Sequence, residues 1–195
     1  MVVVKEKIRS QIVSVARKVF TRFGFKKATM EDIAKAASMG KSSIYYYFKS
    51  KEDIFRAVVE KEAEELKKEL DKTLSADRSP IDKMKAYVRF RLSHLHTVAN
   101  FYAALNEEDL SHMDFILKIR KDFDVQEQEL VTELIQKGNE EGAFQITDPA
   151  IGAVALTTMM KGLELPLFLN SNRKKERQQL LDDLIRVIFY GIIKR

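Results

Sequence analysis

The chain has 195 residues, of which 45% are hydrophobic and 32% charged, and it contains no cysteine. That composition belongs to a folded protein, and the length allows one ordinary domain or a small unit fused to a larger one. Disulfides, thiolate metal sites and cysteine nucleophiles are excluded. Charge is unevenly divided: residues 1–50 hold eleven Lys/Arg against three Asp/Glu, a net of +8, while the remainder carries a net of −3. A polyanionic partner is therefore expected for the first part alone. The opening "MVVVKEKIRS" has too short an apolar run for a signal peptide, and no stretch approaches the roughly 20 residues of a membrane span. A cytoplasmic protein without membrane contact is the expectation.

Helical periodicity dominates from the start. Ile8, Ile12, Val15, Ala16, Val19, Phe20 and Phe23 recur at spacings of three and four, which predicts one helix with a single apolar stripe ending near Gly24. Thr29 and Asp32 form a capping-box pattern before a brief helix whose inward residues are Ile33 and Ala37. "SMGK" breaks it, with Gly40 expected to take a positive φ. The next helix, "KSSIYYYF" (41–48), places Ile44 and Phe48 on one face. A rotation of about 100° per residue then puts Tyr46 almost opposite them, beside Ser42 and Ser43, with Tyr45 and Tyr47 on the flanks.

Ser50 and Asp53 open a long helix with Ile54, Val58, Ala63, Leu66 and Leu70 on its apolar side. "SADRSP" (75–80) is the best linker, with Ser79 as cap and Pro80 in the first turn. A helix through Met84, Val88, Leu92 and Leu95 follows, then a less regular stretch over 99–115 and a long helix over 116–138. Asp148 caps "PAIGAVALTTMMKGLELPLFL", which is apolar nearly all round, with Pro166 expected to bend it. A last apolar helix spans 176–193.

Residues 29–48 fit a helix–turn–helix, in which the second helix enters a DNA major groove. Lys41 stands at that helix's N-terminus. Ser42 and Ser43 are small enough for close approach, and Tyr45, Tyr46 and Tyr47 bring hydroxyls within reach of bases or phosphates. Lys51 adds charge at the next helix start.

"FGFKKATMEDIAKAASMGKSSIYYYFKSKEDIF" (23–55) resembles the N-terminal signature of the TetR family of bacterial transcriptional regulators. The match includes Gly24 to Thr29, Ile33-Ala34 with Ala37, Ile44-Tyr45, Tyr47-Phe48 and Ser50-Lys51-Glu52. The chain departs from it at Ser38 and Ser42, where the family often has Gly, and at Gly40, where it commonly has Ser. The resemblance implies an all-α protein of about nine helices. Three would form an N-terminal DNA-binding domain (1–50) and the rest an effector-binding and dimerisation domain (51–195). It implies DNA contacts at Thr29, Lys41, Ser42, Ser43, Tyr45, Tyr46, Tyr47 and Lys51. The expected function is a homodimeric repressor on a palindromic operator, released by a small molecule of unknown identity. The alternative is an all-α protein-interaction module with a basic N-terminal region.

For the body, the sequence predicts an apolar and aromatic internal pocket involving Phe90, His94, Phe101 and Tyr102. It also predicts a dimer seam through 149–168 and 176–193, with Leu184 and Ile188 on it, because a monomer would leave those apolar faces wet. His94 and His96 face different directions on a helix, and His112 stands apart, so no metal site is expected. No phosphate loop, nucleophile elbow or zinc-protease motif occurs, and neither enzyme activity nor a cofactor is expected.

Overall fold

The computed structural model describes residues 2–75, 77–94, 100, 113–169 and 174–190. Within these, the side chains of 2, 3, 113, 115–117, 119, 120, 164–169, 174–178, 180 and 181 are not described. The protein is all-α, with eight helices and no strand among the described residues. In order these are α1 (Val2–Lys27), α2 (Met30–Ala36), α3 (Lys41–Tyr47) and α4 (Lys51–Leu74). They are followed by α5 (Pro80–Ser93), α6 (Met113–Glu140), α7 (Pro149–Leu169) and α8 (Lys174–Tyr190). No helix among the described residues is long and apolar enough to cross a membrane. By contacts the chain divides into two compact units, 1–65 with 98–120, and 66–97 with 121–195.

In the first unit, α1 buries Ile12, Val13, Ala16, Val19 and Phe20. Gly24 (φ 74°, ψ 165°) then leaves helical geometry, although a last helical turn runs on to Lys27. That break turns Phe25 back into the core, while Phe23, expected on the buried stripe, is exposed. The Phe25 ring packs 4.8 Å from Phe55, which meets Phe20 edge-on at 5.0 Å. Phe25 therefore fills the place that periodicity gave to Phe23. Ile33 and Ala34 of α2, Ile44 and Phe48 of α3, and Ile54, Val58 and Val59 of α4 are also buried.

A polar network lies within this unit. Glu62 is fully buried and accepts from Arg17 Nε at 3.0 Å and Asn100 Nδ2 at 2.7 Å. Arg17 Nη1 reaches Glu65 at 2.7 Å, and the Thr21 hydroxyl donates to the Arg17 carbonyl. The acid is buried because a guanidinium and an amide satisfy it there.

In the second unit, Met84, Tyr87, Val88 and Leu92 of α5, Val131, Leu134 and Ile135 of α6, and Ala153 and Met160 of α7 are buried. The Tyr87 hydroxyl donates to Glu127 Oε1 at 2.9 Å, and Arg91 Nε lies 2.9 Å from the same oxygen. Burial first, and then the adjoining Glu127 charge, push the Tyr87 phenol well above its ordinary range, so it remains a donor. Lys161 of α7 pairs with Asp124 of α6 at 2.6 Å.

Candidate nucleic-acid interface

The first of the two interface helices, α2, is fixed at both ends. The Thr29 hydroxyl accepts from Asp32 N–H at 3.1 Å, and the Thr29 N–H donates to Asp32 Oδ2 at 2.9 Å, which completes the expected capping box. Hydrogen bonds from the Thr29 hydroxyl, then from its backbone, hold the Asp32 carboxyl below its ordinary 3.8.

At its other end the sequence reading needs correction. The left-handed residue is Ser38 (φ 54°), whereas Gly40 is extended (φ −69°, ψ 146°) and serves as N-cap of α3. Met39 N–H donates to the Ala34 carbonyl at 2.9 Å and Ser38 N–H to the Lys35 carbonyl at 3.1 Å. Those two bonds are the pairing of a Schellman terminus, which demands a positive φ at the residue just past the cap. That residue is Ser38. A Cβ on Gly40 would meet only Ser43 Oγ at 3.8 Å and Ser42 Oγ at 3.9 Å, so nothing there requires glycine.

The tyrosine run divides as its angular positions predict. Ile44 and Phe48 are buried, Tyr47 is half-buried, Tyr45 is exposed, and Tyr46 is 69% exposed. Lys41, Ser42 and Ser43 are exposed beside Tyr46 on the outward side of α3. The Tyr46 ring stands edge-on to Tyr47 at 5.0 Å. Lys41 Nζ lies 3.6 Å from Glu31, an exposed pair of the kind that constrains little. Thr29 is exposed, with its hydroxyl bonded to Asp32 at 2.6 Å.

Two cations that periodicity did not single out join this surface from α1. Lys5 Nζ sits 5.2 Å from the Tyr46 ring centroid, and the Arg9 guanidinium lies 4.8 Å from that of Phe48. The excess of basic residues in the first fifty was the signal for them, but it gave no position. Lys51 has a structural partner as well: its ammonium donates to the carbonyls of Phe25 at 2.8 Å and Lys26 at 3.4 Å. This surface offers an exposed, hydroxyl-bearing helix flanked by cations on a rigid apolar base, which suits contact with nucleic-acid bases and phosphates.

Residues 12–58 match the family model for bacterial regulatory proteins of the tetR family. YfiR of Bacillus subtilis strain 168, an HTH-type transcriptional regulator, is 30% identical over 174 residues, spanning 86% of this chain and 78% of that protein. The chain belongs to the TetR family. A TetR regulator from Chloroflexus aurantiacus shares its fold with a TM-score of 0.78 at 19% identity, over 95% of this chain and 96% of that one. FadR from Bacillus subtilis, solved in complex with stearoyl-CoA, gives 0.72 at 18% identity over 94% and 99%. This TetR-family chain is thus a transcription regulator with a helix–turn–helix for DNA.

Of the other expected site residues, Phe90, His94, Leu184 and Ile188 lie in the second unit. Phe90 and His94 come together, with rings stacked at 4.1 Å, and line an open groove of about 640 Å³. Its remaining lining is mixed: Arg78, Asp82, Lys85 and Arg89 are charged, while Thr73, Ala86 and Ser93 are small and uncharged. The reason is angular: Met84, Tyr87, Val88, Arg91 and Leu92 turn inward on α5, which leaves Asp82 and Arg89 outside. Phe101 and Tyr102 lie outside the described residues. Leu184 and Ile188 are half-buried on α8, whose exposed apolar residues among the described side chains are Val187 and Tyr190. On α7, expected to be apolar all round, Ile151, Val154, Ala155, Thr158, Met159 and Gly162 are exposed at helical spacing, while Ala153, Thr157 and Met160 are buried.

Proposed function

We propose that the protein is a homodimeric repressor that binds a palindromic operator and is released from it by a small molecule. In this reading residues 1–50 bind DNA and residues 51–195 take the effector and form the dimer. The observation that carries the DNA half is the outward face of α3, where Ser42, Ser43 and Tyr46 are exposed while Ile44 and Phe48 anchor the helix from behind. Thr29, Tyr45, Tyr47, Lys41 and Lys51 surround it as positioning contacts to phosphate.

Support for the dimer comes from α7. Ile151 is 67% exposed, and Val154 and Met159 follow it on one helical stripe, which leaves in water an apolar face typical of an interface. Leu184 and Ile188 border the exposed Val187 on α8 and form the edge of the same seam. Two α3 helices on a two-fold dimer would read half-sites roughly 34 Å apart or a multiple of that. The effector reading draws on the stearoyl-CoA held by FadR. Acyl-coenzyme A thioesters are accordingly the class we assign, with Phe90 and His94 among the contacts.

Gel shifts on DNA flanking the protein's own gene, with and without stearoyl-CoA, test the whole reading. Retarded bands that stearoyl-CoA abolishes support it. Equal affinity for flanking and random duplexes refutes operator recognition, and bands indifferent to the thioester refute the effector class.

A further inference from the structure

The groove on α5 has a chemistry that an acyl chain cannot use. Arg78, Lys85 and Arg89 all line it, and none of the three has a carboxylate partner among the described residues. Lys85 instead holds its ammonium 5.7 Å from the ring centroid of Tyr190 and 5.9 Å from that of Phe189. The acid of the lining, Asp82, accepts from the Ser79 hydroxyl at 2.8 Å as part of the α5 cap. Three cations against this one carboxylate leave a net of +2 along the groove, which suits an anion of more than one charge. Lys85 and Arg89 are one turn apart, about 6 Å along the helix, so they engage neighbouring charges rather than a single one.

At the other end of the groove stands an aromatic face. Phe90 is 4% exposed and His94 stacks on it with planes 21° apart, so one side of the imidazole is covered. The ring is also held by its edge: Nδ1 lies 3.0 Å from both the Phe90 carbonyl and the Ser93 hydroxyl, and Nε2 lies 3.6 Å from Glu69 Oε2. The His94 side chain keeps 37% of its surface open. A fixed, partly exposed ring is a platform for a flat heterocycle, as in the stacking of bases on aromatic side chains. A volume of about 640 Å³ lies within the roughly 300–1,000 Å³ typical of small-molecule sites.

We propose that this groove binds an adenosine diphosphate moiety, with phosphates on Arg78, Lys85 and Arg89 and adenine on His94. The proposal rests on the effector reading above and extends it, because a coenzyme A thioester carries such a moiety at the end opposite its acyl chain. Arginine suits the phosphates through paired N–H groups, and Lys85 adds a compact charge between Arg78 and Arg89 along the chain.

The test uses the full chain and titrates ADP calorimetrically, with inorganic diphosphate as the comparison. Wild type is expected to bind ADP at least tenfold more tightly than diphosphate. Lys85→Gln with Arg89→Gln should weaken ADP at least tenfold, and His94→Ala should bring ADP down to the level of diphosphate. Arg89 is exposed and Lys85 half-buried, so an unchanged circular dichroism melt is expected to certify the double variant. Should that variant melt early, Arg78→Gln, on an exposed residue before the helix, carries the same expectation with a smaller loss. No ADP binding at millimolar concentration, equal binding by wild type and variants, or parity of ADP and diphosphate on wild type would each overturn the site. Operator release by stearoyl-CoA, kept below its micelle-forming concentration, separates the two readings. Equal release in wild type and double variant sinks the groove and leaves the effector class standing. ADP binding as expected without release by the thioester does the reverse.

Discussion

The Lys51 ammonium donates to the Phe25 carbonyl at 2.8 Å and lies 4.4 Å from the centroid of the same residue's ring. Lysine thus closes the chain reversal that Gly24 begins and holds the start of α4 against the end of α1. An ammonium has three donors, and the carbonyls of Phe25 and Lys26 take two, which leaves one for a phosphate. Lys51→Ala is expected to cost about 1.5–3 kcal/mol of stability, the scale of hydrogen bonds to a charged group. It should also weaken all DNA sequences alike and flatten the salt dependence by about one unit per half-site. Affinity across a salt series and a urea midpoint give the two readouts. An unchanged salt slope would restrict Lys51 to holding the loop.

Ser38 supplies a second expectation. A non-glycine residue in the left-handed region costs on the order of 1 kcal/mol, and here the Schellman bonds of α2 enforce it. Ser38→Gly should therefore stabilise the first unit by about 1 kcal/mol, and Ser38→Val should destabilise it by more than that. Gly40→Ala should change little, since its backbone is extended and its surroundings are open. A destabilised Ser38→Gly in urea unfolding would mean that the serine makes a compensating contact.

These two sites show what was legible in the sequence. The helices of the first unit announced themselves through apolar spacing, and α2 and α4 also through a capping residue, because those signals act within one turn of the chain. The position of the left-handed residue depends on which carbonyls the last turn of α2 must satisfy, and a glycine two residues on masked it. Long-range pairings left no local trace. Glu62 and Arg17 are 45 positions apart, and Thr21 and Asn100 are 79 apart. Glu62, Arg91 and Glu127 carry no local mark of their burial, because their partners come from other segments. The charged groove of α5 leaves a misleading local trace: the aromatic content near Phe90 resembles that of an apolar interior. Its cations lie on the outer side of the same helix.

Specificity should separate from affinity on α3. Ser43 and Tyr46 share its outward side, and Lys5 lies over the Tyr46 ring. Ser43→Ala and Tyr46→Ala are expected to change which bases are preferred, each by about 1–3 kcal/mol at the position read. Selection from a randomised duplex pool, repeated for each variant, measures this. An identical selected motif with uniformly lower affinity would make both residues phosphate contacts.

The capping box of α2 gives a pH dependence of known sign. Hydrogen bonds from Thr29 lower the Asp32 carboxyl below its ordinary 3.8, so the unfolded chain binds the proton more tightly than the folded one. The stability from this group is complete above 3.8 and is lost as pH falls through the lower, folded value. Asp32→Asn should therefore trail wild type at about pH 6, and the gap should narrow as pH falls below about 4. Chemical denaturation across that range checks it. A gap that widens toward acid would reverse the assignment.

The dimer seam is the last test. On α7 the residues Ile151, Val154 and Met159 lie on one exposed helical stripe, and on α8 Val187 and Tyr190 are exposed. Leu184 and Ile188 are half-buried, so an arginine at either disturbs packing as well as any interface. Val154→Arg with Val187→Arg is the cleaner probe, because both side chains are already in contact with water. Charges on a packed apolar interface leave buried ions without partners, and loss of one partner of this kind costs several kcal/mol. The double variant is expected to sediment as a folded monomer with wild-type helix content. One α3 alone then reads a single half-site, and operator affinity should drop by at least two orders of magnitude while random-sequence binding changes little. A dimer that survives both arginines would place the seam elsewhere. A folded monomer that holds the operator as tightly as wild type would show that recognition does not need the pair.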